Sequence, residues 1–108
     1  MRGPDQIAPL LARLRSRLEN AYGARLAGLR LFGSYARGEA GLHSDVDLLV
    51  LLHGPVHTLT EIDRLVALSY DLEMETGEVL SFLARSVDEF ETGQSPFLRV
   101  VHREGIPA

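Results

Sequence analysis

Apolar residues recur along this chain with two different periods, and the period identifies the elements. The first helical segment places its large apolar residues at the spacing i, i+3, i+4, i+7 and i+11. Those residues are Ile7, Leu10, Leu11, Leu14 and Leu18. Gly23 follows as a suitable C-terminal stop. The spacing predicts an amphipathic helix at the start of the chain.

Three later segments have the pattern of β-strands. From Leu26 to Phe32 apolar residues alternate around Arg30, and residues 79–84 form another short apolar stretch. The run from Asp45 to Leu52 differs, because Leu48 to Leu52 are all apolar. A strand that is apolar on both faces is typical of a sheet centre covered on both sides.

Capping signals place three more helices between and after these strands. Thr58 and Glu61 are spaced as a capping box before a helical pattern that Gly77 can end, and Ser86 and Glu89 are spaced in the same way. Ser95 then fits an N-cap, since a proline follows it. The order of elements predicts one domain over residues 1–108, of α/β (α+β) class. We expect a small mixed β-sheet with helices packed mainly on one face.

Composition narrows the classes of function. The 108 residues carry a net charge of −4 and include no cysteine, which excludes disulfides and thiolate metal sites. Every basic residue is arginine, so a lysine-dependent phosphate loop is excluded as well. The acidic balance argues against a broad nucleic-acid surface. No long apolar run or signal-peptide pattern is present, so we expect a cytoplasmic protein without a membrane segment.

Asp45-Val46-Asp47 is the first candidate for chemistry. Side chains alternate along a strand, so both aspartates should point to one face, with Cα atoms roughly 6.5–7 Å apart. Two such carboxylates suit Mg²⁺, which binds one or two carboxylates together with substrate phosphates. Most isolated Asp-x-Asp pairs are solvated turn residues. Here the apolar strand that follows puts the pair at the mouth of a central strand, where ligand sites of α/β proteins occur.

Gly33-Ser34 is the second candidate, because it follows a predicted strand and opens a short helix. Glycine lets a ligand approach the backbone, and the start of a helix offers N–H groups to phosphate. The alternative interpretation is a plain turn with a serine N-cap. Ten residues separate this pair from Asp45-Val46-Asp47.

The string from Gly33 to Leu48 closely resembles the minimal nucleotidyltransferase family of the polymerase-β-like superfamily. The resemblance implies that Gly33 and Ser34 hold a nucleoside triphosphate and that Asp45 and Asp47 bind Mg²⁺. It also implies that Arg37 lies near the phosphates and that Ser44 supports the acidic turn. A surface ion pair with Glu39 is an equal alternative for Arg37.

The family usually has a third carboxylate on the next strand, and this sequence has no aspartate there. In one register Glu78 takes the acidic position and acts as a catalytic residue. In another register Val79 or Ser81 occupies it, and the third ligand is missing. The third carboxylate often acts as general base toward the attacking hydroxyl, so its loss would leave binding without turnover.

The resemblance predicts Mg²⁺-dependent transfer of a nucleoside monophosphate, AMP from ATP, to a hydroxyl. Small members of this family are similar to antitoxins that pair with HEPN-domain toxins, which makes such a toxin the expected partner. A weakened, nucleotide-binding antitoxin that acts by contact alone is the alternative. Transfer to a small molecule, as in the aminoglycoside nucleotidyltransferases, is a second alternative, although those proteins usually carry an additional helical domain.

Overall fold

A computed structural model describes residues 1–93 and 95–108 of the chain. Five α-helices, one short 3₁₀ helix and four strands follow one another along these residues. The helices are α1 (Pro4–Tyr22), α2 (Gly33–Ala36), α3 (Thr58–Thr76), α4 (Val87–Thr92) and α5 (Pro96–Glu104), with the 3₁₀ turn at Gly23–Arg25. The strands are β1 (Leu26–Phe32), β2 (Val46–Leu52), β3 (Leu80–Ser86) and β4 (Ile106–Pro107).

The four strands form one mixed sheet in the order β3-β2-β1-β4. Strand β2 pairs antiparallel with β1 and parallel with β3. It lies inside the sheet, as its continuous apolar run predicts, and Leu48 to Leu52 are all buried. The parallel pairing fixes a register in which Asp47 lies opposite Ser81.

Helices cover both faces of the sheet, and the two faces are unequal. The 19-residue helices α1 and α3 pack on one face, over Val46, Leu48 and Val50. The shorter α4 and α5 pack on the other, where Phe90 and Leu98 lie against Leu49 and Leu51. Successive residues of β2 therefore enter two separate apolar clusters. The mixed α/β class predicted from the sequence is confirmed, with the longer helices on one face.

Several local signals act as the sequence predicts. Gly77 ends α3 with φ +76°, a left-handed conformation that suits glycine. The Ser86 hydroxyl accepts the Glu89 N–H at 3.2 Å, and the Ser95 hydroxyl accepts the Leu98 N–H at 3.4 Å. These caps satisfy N–H groups that have no partner inside the first helical turn.

The capping box predicted at Thr58 and Glu61 is wrong. His57 precedes the first residue of α3, and no side chain caps that end of the helix. Glu61 is only 5% exposed and instead accepts hydrogen bonds from the Tyr22 hydroxyl at 2.9 Å and from Arg25 at 2.8 Å. Tertiary partners more than 35 residues away along the chain thus determine its conformation.

Strand boundaries also shift slightly from the prediction. Strand β2 begins at Val46, and the third strand covers Leu80–Ser86 instead of residues 79–84. The two-residue β4 carries no pattern of its own and exists because Ile106 and Pro107 pair with the edge of β1. In residues 1–93 and 95–108, no helix is both long and apolar enough to cross a membrane.

Candidate active site

Two aspartates lie where β2 begins, on the face that α4 and α5 cover further along. Val46 is fully buried in the cluster beneath α1 and α3. Alternation along the chain therefore puts Asp45 and Asp47 on the opposite face. Asp45 is exposed and Asp47 is partly buried. The two carboxylates thus face a common space that solvent and ligands can reach.

Gly33 lies directly against one of these carboxylates. Phe32 is the cross-strand partner of Asp47, so the chain turns out of β1 beside that aspartate. A Cβ added to Gly33 would overlap Asp47 Oδ2 and lie 3.1 Å from Asp47 Cγ. Gly33 also has φ +73°, which L side chains rarely adopt. A side chain at this position would therefore have to displace the Asp47 carboxylate and adopt an unfavourable backbone conformation.

Ser34 and Ser44 belong to the two ends of the loop that joins Gly33 to the aspartates. Ser34 is the second residue of the single-turn helix α2 and is partly exposed. The Ser44 hydroxyl accepts the Gly41 N–H at 2.9 Å, which closes a tight turn just before Asp45. The resemblance implies a supporting role for Ser44 in the acidic turn, and this hydrogen bond lies within that turn.

Arg37 is exposed just after α2 and contacts two carboxylates. Its Nε donates to Glu39 at 3.1 Å, and its Nη1 lies 3.9 Å from a carboxylate oxygen of Glu104 in α5. The surface ion pair considered for Arg37 is therefore present. Its positive charge also acts on Asp47 and partly offsets the rise in the pKa of that aspartate. Arg37 thus lies close enough to the acidic pair to affect its electrostatics.

Asp47 has a raised pKa for two reasons. Partial burial disfavours its charged form, and the negative charge of Asp45 adds a repulsion that Arg37 only partly offsets. Two like charges held close together favour the binding of a cation between them. The carboxylate donor set and its charge therefore fit a divalent metal.

The structure does not bring Glu78 to the two aspartates. Its carboxylate accepts the Tyr35 hydroxyl at 3.0 Å and pairs with Arg2 at 2.8 Å. Tyr35 is fully buried in the cluster under α1 and α3, on the face opposite Asp47. Of the two registers that the sequence leaves open, the protein has the one that turns Glu78 away from the pair.

Strand β3 therefore offers no acidic side chain to the site face. Ser81 is the cross-strand neighbour of Asp47 and is exposed, and Val79, two residues earlier, is 53% exposed. Among residues 1–93 and 95–108, no group of three histidine, aspartate or glutamate side chains is placed to hold a metal ion. Asp45 and Asp47 are the acidic pair available at this edge.

One feature of the site was missed in the sequence analysis. A cavity of about 300 Å³ opens beside Gly33, between α5 and the end of β1. Its lining residues are Phe32, Gly33, Arg37, Phe97, Val100, Val101 and Glu104. The α5 members follow the spacing i, i+3, i+4 and i+7, a pattern that marks one helix face but not what that face encloses.

The mixed sheet thus places the glycine turn directly against the Asp-x-Asp pair. The family model described as a nucleotidyltransferase domain matches residues 11–93. The chain also matches a solved structure of a minimal nucleotidyltransferase, with 33% identity, a TM-score of 0.62, and coverage of 100% of this chain and 97% of the other. The chain belongs to the nucleotidyltransferase family.

Relatives that are much longer proteins agree with this assignment. A bifunctional uridylyltransferase/uridylyl-removing enzyme of Cupriavidus metallidurans is 34% identical over 95 residues, which are 79% of this chain and 11% of that protein. The corresponding enzyme of Psychrobacter cryohalolentis is 42% identical over 62 residues, 54% of this chain and 7% of that protein. The chain thus spans about a tenth of the length of these relatives, or less.

A toxin–antitoxin structure solved with AMP-PNP shares the fold. Its TM-score is 0.61 at 18% identity, and the match covers 88% of this chain and 69% of the other. At that level of identity, the likeness concerns the fold alone.

Proposed function

We propose that this chain transfers AMP from magnesium-bound ATP to a hydroxyl group of a partner protein. The observation that carries the proposal is the contact between Gly33 and the carboxylate of Asp47. It joins a phosphate-accessible backbone turn to the acidic pair in one small space. A nucleoside triphosphate needs both features side by side, because its phosphates carry the metal that the aspartates would bind.

In this proposal Gly33 leaves its backbone open to the triphosphate, and Ser34 donates a hydroxyl hydrogen bond to it. Arg37 would exchange its surface partner Glu39 for a phosphate oxygen, since guanidinium groups bind phosphate through paired N–H donors. Ser44 holds the turn that aims Asp45 into the site. Each role matches the expectation from the sequence and is supported by proximity to the acidic pair.

Asp45 and Asp47 would hold the metal, with Asp47 as the more buried ligand. When bound, Mg²⁺ neutralises charge that develops on the phosphates. The transfer itself joins the acceptor oxygen to the α-phosphorus and breaks the bond from that phosphorus to the bridging oxygen. Pyrophosphate leaves, and the acceptor proton passes to a base. Because Ser81 of β3 and Val79, just before that strand, lie at this edge, that base comes from the partner or from water.

A partner protein is the acceptor that family resemblance supports, namely a HEPN-domain toxin. The toxin–antitoxin structure solved with AMP-PNP has the same fold, which agrees with this choice of nucleotide and partner. A cytoplasmic location fits the proposal, since ATP is available there.

A second function is favoured by one specific observation. Ser81 lies opposite Asp47, where a third carboxylate would complete the acidic set. Without a general base the rate falls by about 10²–10⁴-fold in typical enzymes. The protein would then bind nucleotide and neutralise its partner by contact, with little turnover.

Calorimetry with Mg–ATP tests the site independently of turnover. We expect the wild type to bind Mg–ATP and the double variant Asp45→Asn, Asp47→Asn to lose that binding. Wild-type affinity in the double variant would refute the site.

Incubation of the wild type with radiolabelled ATP and a HEPN-domain partner then separates the two functions. Label on the partner supports transfer, and stable complex formation without label supports inhibition by contact.

A further inference from the structure

The cavity beside Gly33 adjoins the proposed phosphate site, because Gly33 and Arg37 belong to both. Gly33 contributes to its wall, and its neighbour Phe32 lies directly across from Asp47. The opposite wall is the face of α5 that carries Phe97, Val100 and Glu104. Its volume of about 300 Å³ is at the small end of the usual range for ligand pockets, a size that suits one nucleoside.

Large apolar side chains around this cavity remain exposed. Phe97 is 36% exposed and Val100 is 42% exposed, although Leu98 and Val101 of the same helix are buried against the sheet. The rings of Phe32 and Phe97 meet edge to face, with centroids 5.5 Å apart. Two aromatic rings in an open concave wall form a surface on which a flat aromatic ligand can stack.

The rim of the cavity adds one donor group and one acceptor group. The Arg37 guanidinium and the Glu104 carboxylate lie 3.9 Å apart at its edge. A ligand with apolar faces and a polar edge would therefore meet apolar walls and two charged groups. Nucleobases have this combination of surfaces, because their faces stack and their edges donate and accept hydrogen bonds.

We infer that this cavity binds the nucleobase of the nucleoside triphosphate, an inference that rests on the proposed function. One ribose joins a nucleobase to its phosphates, so the base must lie near the phosphate site. Gly33 belongs to both places. The order of the strands leaves the side of the sheet away from the cavity free for the acceptor. Asp47 lies on β2, the cavity lies on the β1 side, and exposed Ser81 lies on the β3 side.

Binding of Mg–ATP is compared with binding of Mg–tripolyphosphate, which has the phosphates but no base. We expect Phe97→Ala to weaken Mg–ATP binding roughly 5- to 150-fold, the range for loss of one base–aromatic stack. Its affinity for tripolyphosphate should not change. The matched control is Tyr70→Ala, which removes an exposed aromatic side chain of α3, 62% exposed and outside the cavity lining. It should bind both ligands as the wild type does.

A second variant gives a readout that does not depend on loss of affinity. The chain has no tryptophan, so Phe97→Trp introduces a single indole at the cavity wall. Its fluorescence should change on addition of Mg–ATP and stay constant with tripolyphosphate. Tyr70→Trp is the control and should respond to neither ligand.

The outcomes separate this inference from the proposed function. If the wild type binds ATP and tripolyphosphate equally well and the Phe97→Trp signal ignores both, the cavity inference is overturned while the phosphate site stands. If Phe97→Ala spares ATP binding and impairs transfer only through the acceptor, the cavity belongs to the acceptor and the inference is also overturned. If the wild type binds neither ligand, the proposed function itself fails.

Discussion

At the scale of single residues, Gly33 connects backbone conformation with chemistry. Its φ of +73° and its closeness to the Asp47 carboxylate each favour glycine over a residue with a side chain. A Cβ there would meet the Asp47 carboxylate, which we propose as a metal ligand. The identity of this residue is thus determined by the site as well as by the turn.

We predict that Gly33→Ala abolishes Mg–ATP binding, because the methyl group displaces the Asp47 carboxylate. The left-handed backbone adds a loss of about 1 kcal/mol in the free energy of unfolding. Gly54→Ala is the matched control, since Gly54 has φ +83° with no atom within 4 Å of its added Cβ. Calorimetry and urea unfolding measure the two effects. Equal nucleotide affinity in both variants would contradict the assignment of Gly33.

Ser81 allows a prediction of increased activity. It lies opposite Asp47 and is exposed, so Ser81→Asp would add a third carboxylate to the acidic pair. We predict that this variant has a melting temperature more sensitive to Mg²⁺ than the wild type, and a transfer rate increased by about tenfold or more. Ser81→Asn, which has the same shape without the charge, should show neither change.

One strand register considered for the sequence makes Glu78 a catalytic residue, but the structure predicts that Glu78 takes no part in transfer. Because its carboxylate bonds to Tyr35 and Arg2 on the far face, Glu78→Gln should lower stability by about 1 kcal/mol. The transfer rate per folded molecule should not change. A loss of transfer in a stable Glu78→Gln variant would show that the carboxylate reaches the site in solution.

At the scale of elements, a buried carboxylate links α1, α3 and the 3₁₀ turn. Burial by itself would raise the pKa of Glu61, but hydrogen bonds from Arg25 and Tyr22 outweigh that effect, and the pKa is lowered. Burial, together with the same hydrogen bond to Glu61, raises the pKa of Tyr22 to about 12. The ionised form of Glu61 is therefore favoured by folding, and its contribution to stability depends on pH.

We predict that Glu61→Gln lowers the free energy of unfolding by about 1–3 kcal/mol at pH 7. A lowered pKa in the folded state stabilises the protein above the ordinary glutamate value, near 4.3. That contribution is lost as the pH falls through the folded-state pKa. The difference between wild type and variant should therefore shrink below about pH 4 in urea unfolding curves. Glu19→Gln, at an exposed ion pair with Arg15, should have little effect at any pH.

At the scale of the whole molecule, ligand binding and folding are coupled. A ligand that binds only the folded protein adds about 2.7 kcal/mol at one hundred times its dissociation constant. For a domain of this size, we predict that saturating Mg–ATP raises the melting temperature by roughly 10 °C or more. The double variant Asp45→Asn, Asp47→Asn should show no such increase. A similar increase in both proteins would place the nucleotide elsewhere.

The individual helices and strands could be predicted from the sequence, because the patterns that specify them lie within a few neighbouring residues. Helical spacing in α1, the apolar run of β2 and the serine caps of α4 and α5 each act within a few residues. The sequence also proposes the two aspartates and Gly33 as site residues, through strand alternation and through a family resemblance that lies within one segment.

Only the tertiary structure decided which face of β3 meets those aspartates. A shift of one residue in strand register exchanges the two faces, so the sequence left Glu78 and Ser81 as alternatives. The pairing of Asp47 with Ser81, and of Glu78 with Tyr35 and Arg2, resolves that choice through contacts over long distances along the chain. The cavity under α5 has the same origin, because Phe32 and Phe97 become neighbours only when the sheet and helix pack together.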